Sequence, residues 1–354
     1  MFGKEKRKQA NFSIKHEGLA FLFFMDKLID RFDRKIDYLR ISVTDRCNLR
    51  CIYCMPASGI LNKNQNEIIS FEEIYRIVNV AVNLGIKKVR LTGGEPLVRK
   101  DLVLLIKKLK NINGLKELCL TTNGTYLTEC AYEFRKAGLD RVNISLDSLI
   151  PEKFNKITRG GDLERVLKGI EVALSAGFSS LKINTVLING FNTDEIQSFA
   201  NLTKTKQIHV RFIEYMPTYL DCVSRAGLFF SALKAQEILG SLGALSQIDN
   251  ESSGTARIFR IKGSLGTVGF ISPISEPFCS SCNKLRLTSD GRLRSCLHSS
   301  KGMDLKKAIE KGATDADLAM LIKEAVALKP ASHNLCNMPI SLDSENFSMC
   351  QIGG

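Results

Sequence analysis

The chain has 354 residues, 44% of them apolar, enough to bury a full core and to form one large domain with a smaller one beside it. Its formal charge of +13 favours an anionic partner, which composition alone leaves open among nucleic acid, an acidic membrane surface and a phosphorylated small molecule. Eleven cysteines and no secretion signal argue for reduced thiols that serve metals rather than disulfides, and no apolar run reaches transmembrane length, so a soluble cytoplasmic protein is expected. Residues 1–24 are basic and then briefly apolar; they read as a disordered extension or a misassigned start. Strand-like runs follow at 39–43, 87–91, 117–121, 141–146, 181–187 and 207–213, with amphipathic helical segments such as 71–84, 102–110 and 163–176 between them. Six strand-then-helix units imply a parallel α/β sheet that fits an incomplete (β/α)6 TIM-like barrel. From about residue 246 the pattern changes to short strands, 257–261 and 267–271, then a cysteine-bearing segment and two helices. The expected division is a 1–24 extension, a 25–245 partial barrel and a smaller 246–354 C-terminal α+β domain.

The chemistry-bearing residues are concentrated in cysteine groups. Cys47, Cys51 and Cys54 form a C-x3-C-x2-C run. Three thiolates so close can grip three corners of a 4Fe-4S cubane and leave the fourth iron open. Zinc usually takes pairs of C-x2-C or C-x4-C, and the polar insert Asp45, Arg46, Asn48 and Arg50 offers no apolar stripe for a buried helix. A second group, Cys279-x2-Cys282-x13-Cys296, is less specific, because His298 lies two residues on and completes a three-cysteine, one-histidine zinc set. By spacing, zinc and a cluster are equally acceptable there. Cys119, Cys130, Cys222, Cys336 and Cys350 have no partner spacing and read as core or surface thiols.

In a parallel barrel the chemistry sits at the C-terminal ends of the strands. The first cysteine run, Gly93-Gly94-Glu95, Thr121-Thr122-Asn123, Ser145 and Glu214-Tyr215-Met216 all fall there. Anion binding needs converging cations, with Arg favoured for its planar fork. Candidates are Arg40, Arg90, Lys182 and Arg211, one on each of four strands, and the Lys284-Leu285-Arg286 segment, in which Lys284 and Arg286 share a face.

The first cysteine run resembles that of the radical S-adenosylmethionine (SAM) enzymes. Taken with YLRISVTDRCNLRCIYCMP, RLTGGEPLVRKDL and the terminal Ile352-Gly353-Gly354, the chain from about residue 25 to 354 is similar to the GTP 3',8-cyclase family of molybdenum cofactor biosynthesis. The resemblance implies a lyase with two 4Fe-4S clusters and SAM. It implies conversion of GTP to 3',8-cyclo-7,8-dihydro-GTP through a 5'-deoxyadenosyl radical, with no obligatory side-chain acid or base in the hydrogen abstraction. By the same resemblance the second cysteine group holds a cluster that binds the guanine base, with His298 a neighbour. Tyr53, Gly94, Ser145 and Met216 are implied to contact SAM, and Arg40, Arg90, Thr121, Lys182, Lys284, Leu285 and Arg286 to surround GTP. The Gly353-Gly354 tail is implied to reach into the barrel. Implied partners are a downstream cyclic pyranopterin monophosphate synthase and an electron donor, with no nucleic acid and no membrane, in a monomer or homodimer. The chain departs from the family at Lys284, where Arg is usual, and in the loop after Met216-Pro217, which lacks the usual Trp. A radical SAM enzyme acting on a peptide or RNA, and a zinc protein that binds nucleic acid, are the rival readings.

Overall fold

The computed structural model describes residues 27–216, 226–241, 243, 245–248, 255–299, 301–333 and 349–352. The 1–24 extension, Cys222, Cys336, most of the loop after Met216, and Gly353-Gly354 lie outside the described residues, as does the side chain of Cys350.

Six strands, β1 (Tyr38–Ser42), β2 (Lys88–Thr92), β3 (Glu117–Thr122), β4 (Arg141–Ser145), β5 (Leu181–Leu187) and β6 (Ile208–Glu214), pair in parallel in chain order. Each lies within a residue of the expected run. The connecting helices include α1 (Phe71–Asn83), α2 (Leu102–Lys110), α3 (Leu127–Lys136), α4 (Pro151–Thr158), α5 (Leu163–Ser175) and α6 (Ile196–Thr205). Local chemistry fixes their starts: Ser70 and Glu73 form a reciprocal capping box on α1, and the Asp162 carboxylate accepts the first free N–H groups of α5. Their apolar faces, among them Ile74, Ile77 and Val78 of α1, join the outward residues of the strands in one core.

The inward faces are unusual for a barrel. In β5 alternate residues Leu181, Ile183, Thr185 and Leu187 are buried, while Lys182, Asn184 and Val186 are half-buried and line a cavity. The lumen of an ordinary parallel barrel is packed with branched apolar side chains. Here the inward positions are mostly polar, so the lumen is a chamber.

The C-terminal strands do not form a sheet of their own. After α7 (Ala232–Gly240) come β7 (Leu245–Ile248), β8 (Arg257–Ile261), β9 (Thr267–Ile271), β10 (Lys284–Leu287), β11 (Arg292–Arg294) and β12 (Met303–Asp304), then α8 (Leu305–Glu310), α9 (Asp315–Ala327) and α10 (Met349–Ile352). β9 pairs in parallel with β6 and β10 in parallel with β1, giving one sheet in the order β12-β11-β10-β1-β2-β3-β4-β5-β6-β9-β8-β7. The chain therefore leaves one edge of the six-strand array at β9 and re-enters at the other edge as β10. Segment 272–283, which carries Cys279 and Cys282, spans the gap that the incomplete barrel leaves. Lys284 stands opposite Tyr38, so these two cysteines lie at the N-terminal end of β1, whereas Cys47, Cys51 and Cys54 follow its C-terminal end. The strand rise between Tyr38 and Ser42 separates the two levels by about 13 Å.

Closure at β6–β9 depends on Gly266. A Cβ there would lie 1.8 Å from the Ile208 carbonyl oxygen, and the Gly266 N–H donates to Thr203 O at 2.9 Å. Gly266→Ala should therefore lower stability in chemical denaturation by roughly 1–3 kcal/mol. Gly240→Ala, where a Cβ meets nothing within 4 Å, should be neutral or stabilising; equal stability of the two variants would refute the close approach.

Candidate active site

A single cavity of about 1020 Å³ runs through the lumen and is lined by all six cysteines of the two groups. Tyr53, Gly94, Ser145 and Met216 line it, as do Arg40, Arg90, Thr121, Lys182, Arg211, Lys284 and Arg286. Leu285 does not: its side chain is 1% exposed and packs into the apolar core, on the strand face opposite Lys284 and Arg286. It brings no side chain to the chamber.

The first cysteine loop is held from behind by the Gly93-Gly94-Glu95 turn. Gly94 N donates to Thr44 O and Glu95 N to Arg46 O, both at 2.8 Å. A Cβ on Gly94 would sit 2.2 Å from Arg46 O, and one on Gly93 2.7 Å from Thr44 O. Close packing against the chain entering the cysteine loop thus already requires both glycines, whatever the turn also offers a ligand. Glu95 then ties this turn to β3: its carboxylate accepts from Thr122 Oγ1 and Asn123 N, both at 2.6 Å, and from Leu97 N at 3.0 Å. Burial pushes its pKa up to about 7. Across the chamber, Tyr53 donates to Asp147 Oδ2 at 2.6 Å and Val186 N donates to Asp147 Oδ1 at 2.8 Å, fixing the cysteine loop to the ends of β4 and β5. Burial raises the Asp147 carboxyl to about 6. Burial, with Asp147 and Cys47 adding to it, also pushes the Cys51 thiol upward. A thiolate at that position calls for a metal cation to offset it, which is the chemistry the donor set fits.

The cations converge by register. Arg40 of β1 is opposite Arg90 of β2 on one side and Arg286 of β10 on the other, so three guanidinium groups share one rung. Arg90 is anchored, with Nε donating to Tyr38 Oη at 2.5 Å and Nη1 to Leu120 O at 3.0 Å and Thr121 Oγ1 at 3.2 Å. Burial and the neighbouring Arg286 lower the Arg40 pKa to about 9, and burial lowers that of Arg286. Lys182 is pushed down to about 7 by burial, then by Arg211 and Arg90. Arg211 lies over Gly269, where a Cβ would come within 2.8 Å of its Cδ, and it donates to Val210 O at 2.8 Å and Thr267 Oγ1 at 3.2 Å. Lys284 is half-buried, and its buried Nζ lies over the Tyr38 and Phe278 rings without a hydrogen-bond acceptor. Buried cations gathered this closely are stabilised by an anion in the chamber.

At the second cysteine group, Cys282 has its thiol held below the ordinary value: burial opposes ionisation, but Lys329 and Lys284 outweigh it. His298 packs edge-on against His333 at 5.5 Å, and burial lowers its pKa to about 4. Among the described residues no three His, Cys, Asp or Glu side chains approach closely enough to share one metal ion.

Sequence reading missed Asn143, Asn184 and His209, which line the chamber beside Lys182 and Arg211. The signal was present as polar residues spaced by two on barrel strands, at 141, 143 and 145, at 182 and 184, and at 209 and 211. The buried carboxylate Asp147 and the buried Lys329 carried no comparable pattern.

Residues 41–203 match the Radical SAM superfamily and residues 208–335 match the family Molybdenum Cofactor Synthesis C. The chain is 48% identical to the GTP 3',8-cyclase of Peptoclostridium acidaminophilum, over 87% of this chain and 94% of that protein. It is 45% identical to that of Petrotoga mobilis, over 92% of this chain and 100% of that protein. Among solved structures, Streptococcus suis SuiB bound to S-adenosylmethionine shares the fold with a TM-score of 0.60 at 15% identity, over 82% of this chain and 66% of that one. The chain belongs to the GTP 3',8-cyclase family of radical SAM enzymes.

Proposed function

We propose that this chain is a GTP 3',8-cyclase, a lyase that joins C3' of the GTP ribose to C8 of its guanine in the first step of molybdenum cofactor biosynthesis. The observation that carries this reading is that the two cysteine groups face one polar chamber from opposite ends, with the rung Arg90, Arg40 and Arg286 beside it. Relatives of the same name at 45–48% identity support it. Residues 25–245 would be the radical SAM barrel and 246–354 the auxiliary domain. A cytoplasmic enzyme with its own electron donor, a monomer or homodimer passing product to a cyclic pyranopterin monophosphate synthase, completes the reading. Among the described residues no helix is long and apolar enough to cross a membrane.

Cys47, Cys51 and Cys54 would hold one 4Fe-4S cluster with SAM on its open iron, and Cys279, Cys282 and Cys296 a second. When bound, the first cluster and SAM supply one-electron chemistry that removes hydrogen from an unactivated carbon. The protein's share is position and exclusion of water. Tyr53, Gly94, Ser145 and Met216 form the wall nearest the first cysteine loop, and Asp147 orients Tyr53 within it. Arg40, Arg90, Arg286, Lys182 and Lys284 would take the triphosphate, with the Arg forks giving paired contacts to phosphate oxygens. Thr121 and Arg211 would fix the nucleotide between the two levels.

Three outcomes follow. Anaerobically reconstituted enzyme should hold about eight irons with matching sulfide, Cys51→Ala should abolish reductive SAM cleavage, and Cys282→Ala should cleave SAM without cyclising GTP; stoichiometric zinc, or normal cyclisation by the Cys282 variant, would refute the second cluster. Arg286→Ala should weaken equilibrium GTP binding by roughly 1.5–3 kcal/mol, and Lys284→Arg should bind as well or better. Unchanged affinity in Arg286→Ala would remove that segment from the site.

The third outcome concerns pH. With its pKa depressed to about 7, Lys182 loses its charge in the free enzyme as pH rises through that value, and a bound triphosphate must draw the proton back onto the amine. Wild-type affinity for GTP should therefore drop from about pH 6 to about pH 8 relative to Lys182→Met, which binds more weakly but with a shallower profile. Parallel profiles for the two proteins would take Lys182 out of the phosphate site.

A further inference from the structure

Each ligand of the second cysteine group is tied, through the backbone, to one short segment that follows α9. Lys329, only 2% exposed, donates from Nζ to Lys284 O at 2.8 Å and to Ser295 O at 2.6 Å. Lys284 stands two residues after Cys282, and Ser295 immediately precedes Cys296. The third ligand is reached through Arg34, whose Nη1 donates to Cys279 O at 2.7 Å and whose Nη2 donates to Pro330 O at 2.7 Å.

The two cations differ in one respect. Arg34 is matched by Asp30, with Nε to Oδ2 at 2.6 Å. Lys329 has no carboxylate partner among the described residues, its acceptors being two neutral carbonyls. An ammonium has three donors, and two of them are spent on the carbonyls that flank Cys282 and Cys296. A buried ammonium is costly without an anion, and a group held by the cysteines beside these two carbonyls would supply one. We propose that Lys329 is the fixed counter-charge of the second cysteine group, a positioning residue that clamps the backbone beside Cys282 and Cys296 and raises the reduction potential of the cluster there. Hydrogen bonds to cluster sulfur and nearby charge are the levers by which a protein sets such a potential. This inference rests on the reading that Cys279, Cys282 and Cys296 carry a 4Fe-4S cluster.

The test is a redox titration of the reconstituted holoenzyme followed by electron paramagnetic resonance, with Lys329→Met and Lys329→Gln beside the wild type. Both variants should show the second cluster at a lower potential, Met further down than Gln, which keeps N–H donors but no charge. The first cluster's potential and reductive SAM cleavage should be unchanged. If Lys329→Met loads no second cluster, Lys329→Gln supplies the measurement. Loss of second-site iron alone from both variants, with the first site loaded, is the stronger form of the same result. A second cluster whose potential is the same in wild type and in a loaded variant overturns the role of Lys329 alone. A wild-type enzyme with no second cluster signal overturns the cluster reading and this inference with it.

Discussion

Like charges held side by side in one chamber are the constraint around which this protein is arranged. Arg90, Arg40 and Arg286 occupy one rung of adjacent strands, with Lys284, Lys182 and Arg211 on neighbouring positions of the same inward face. Desolvation acts against them, and for Arg40 and Lys182 the repulsion of neighbouring cations adds to it and lowers their pKa values further. The apolar shell outside must supply the stability that the lumen gives up. It does so with strand residues that are almost entirely buried against helices capped at their starts by Ser70 and Asp162. A triphosphate in the chamber would reverse the sign of the effect and turn a cost of folding into affinity.

The incomplete barrel makes that chamber possible. A closed eight-stranded barrel fills its interior with side chains. Six strands leave a gap, and the chain bridges it with a segment that delivers Cys279 and Cys282 to the level opposite the first cysteine loop. A substrate between the two levels can be gripped at one end and attacked at the other. Buried carboxylates fix the geometry: Glu95 joins the glycine turn to β3, Asp147 joins Tyr53 to β5, and Glu214 accepts from Ala232 N, Ile274 N and Ser275 N to hold the end of β6 against the crossing segment. These acids hold backbone in place, and they stand where the strands end and the functional loops begin.

Strand positions, helix positions and the partial barrel were legible in the sequence because each depends on local periodicity. The run at 181–187 begins with apolar and polar residues in alternation, Leu181 to Asn184, and Phe71–Asn83 repeats its apolar residues on one helical face behind a Ser70 cap. The first cysteine group was legible because three ligands fall within eight residues of chain, so spacing alone fixes their common target. The family resemblance added an expected role for Arg40, Lys182 and the 284–286 segment, and the alternation of a strand separates Leu285 from its two neighbours.

Contacts between residues far apart in sequence were decided only by the tertiary structure. Lys329 meets the Lys284 and Ser295 carbonyls across more than thirty residues, and Arg34 reaches Cys279 across 245. Neither has a repeat, a spacing or a neighbour that marks it, because a salt bridge or carbonyl contact of this kind needs proximity in space and leaves no local pattern. The addition of β9 and β10 to opposite edges of the same sheet is equally silent in the chain, since short strands read alike whether they pair with one another or with a barrel. Sequence determined which residues could do the chemistry; the fold decided that they share one chamber, because only strand register sets Arg40 beside both Arg90 and Arg286.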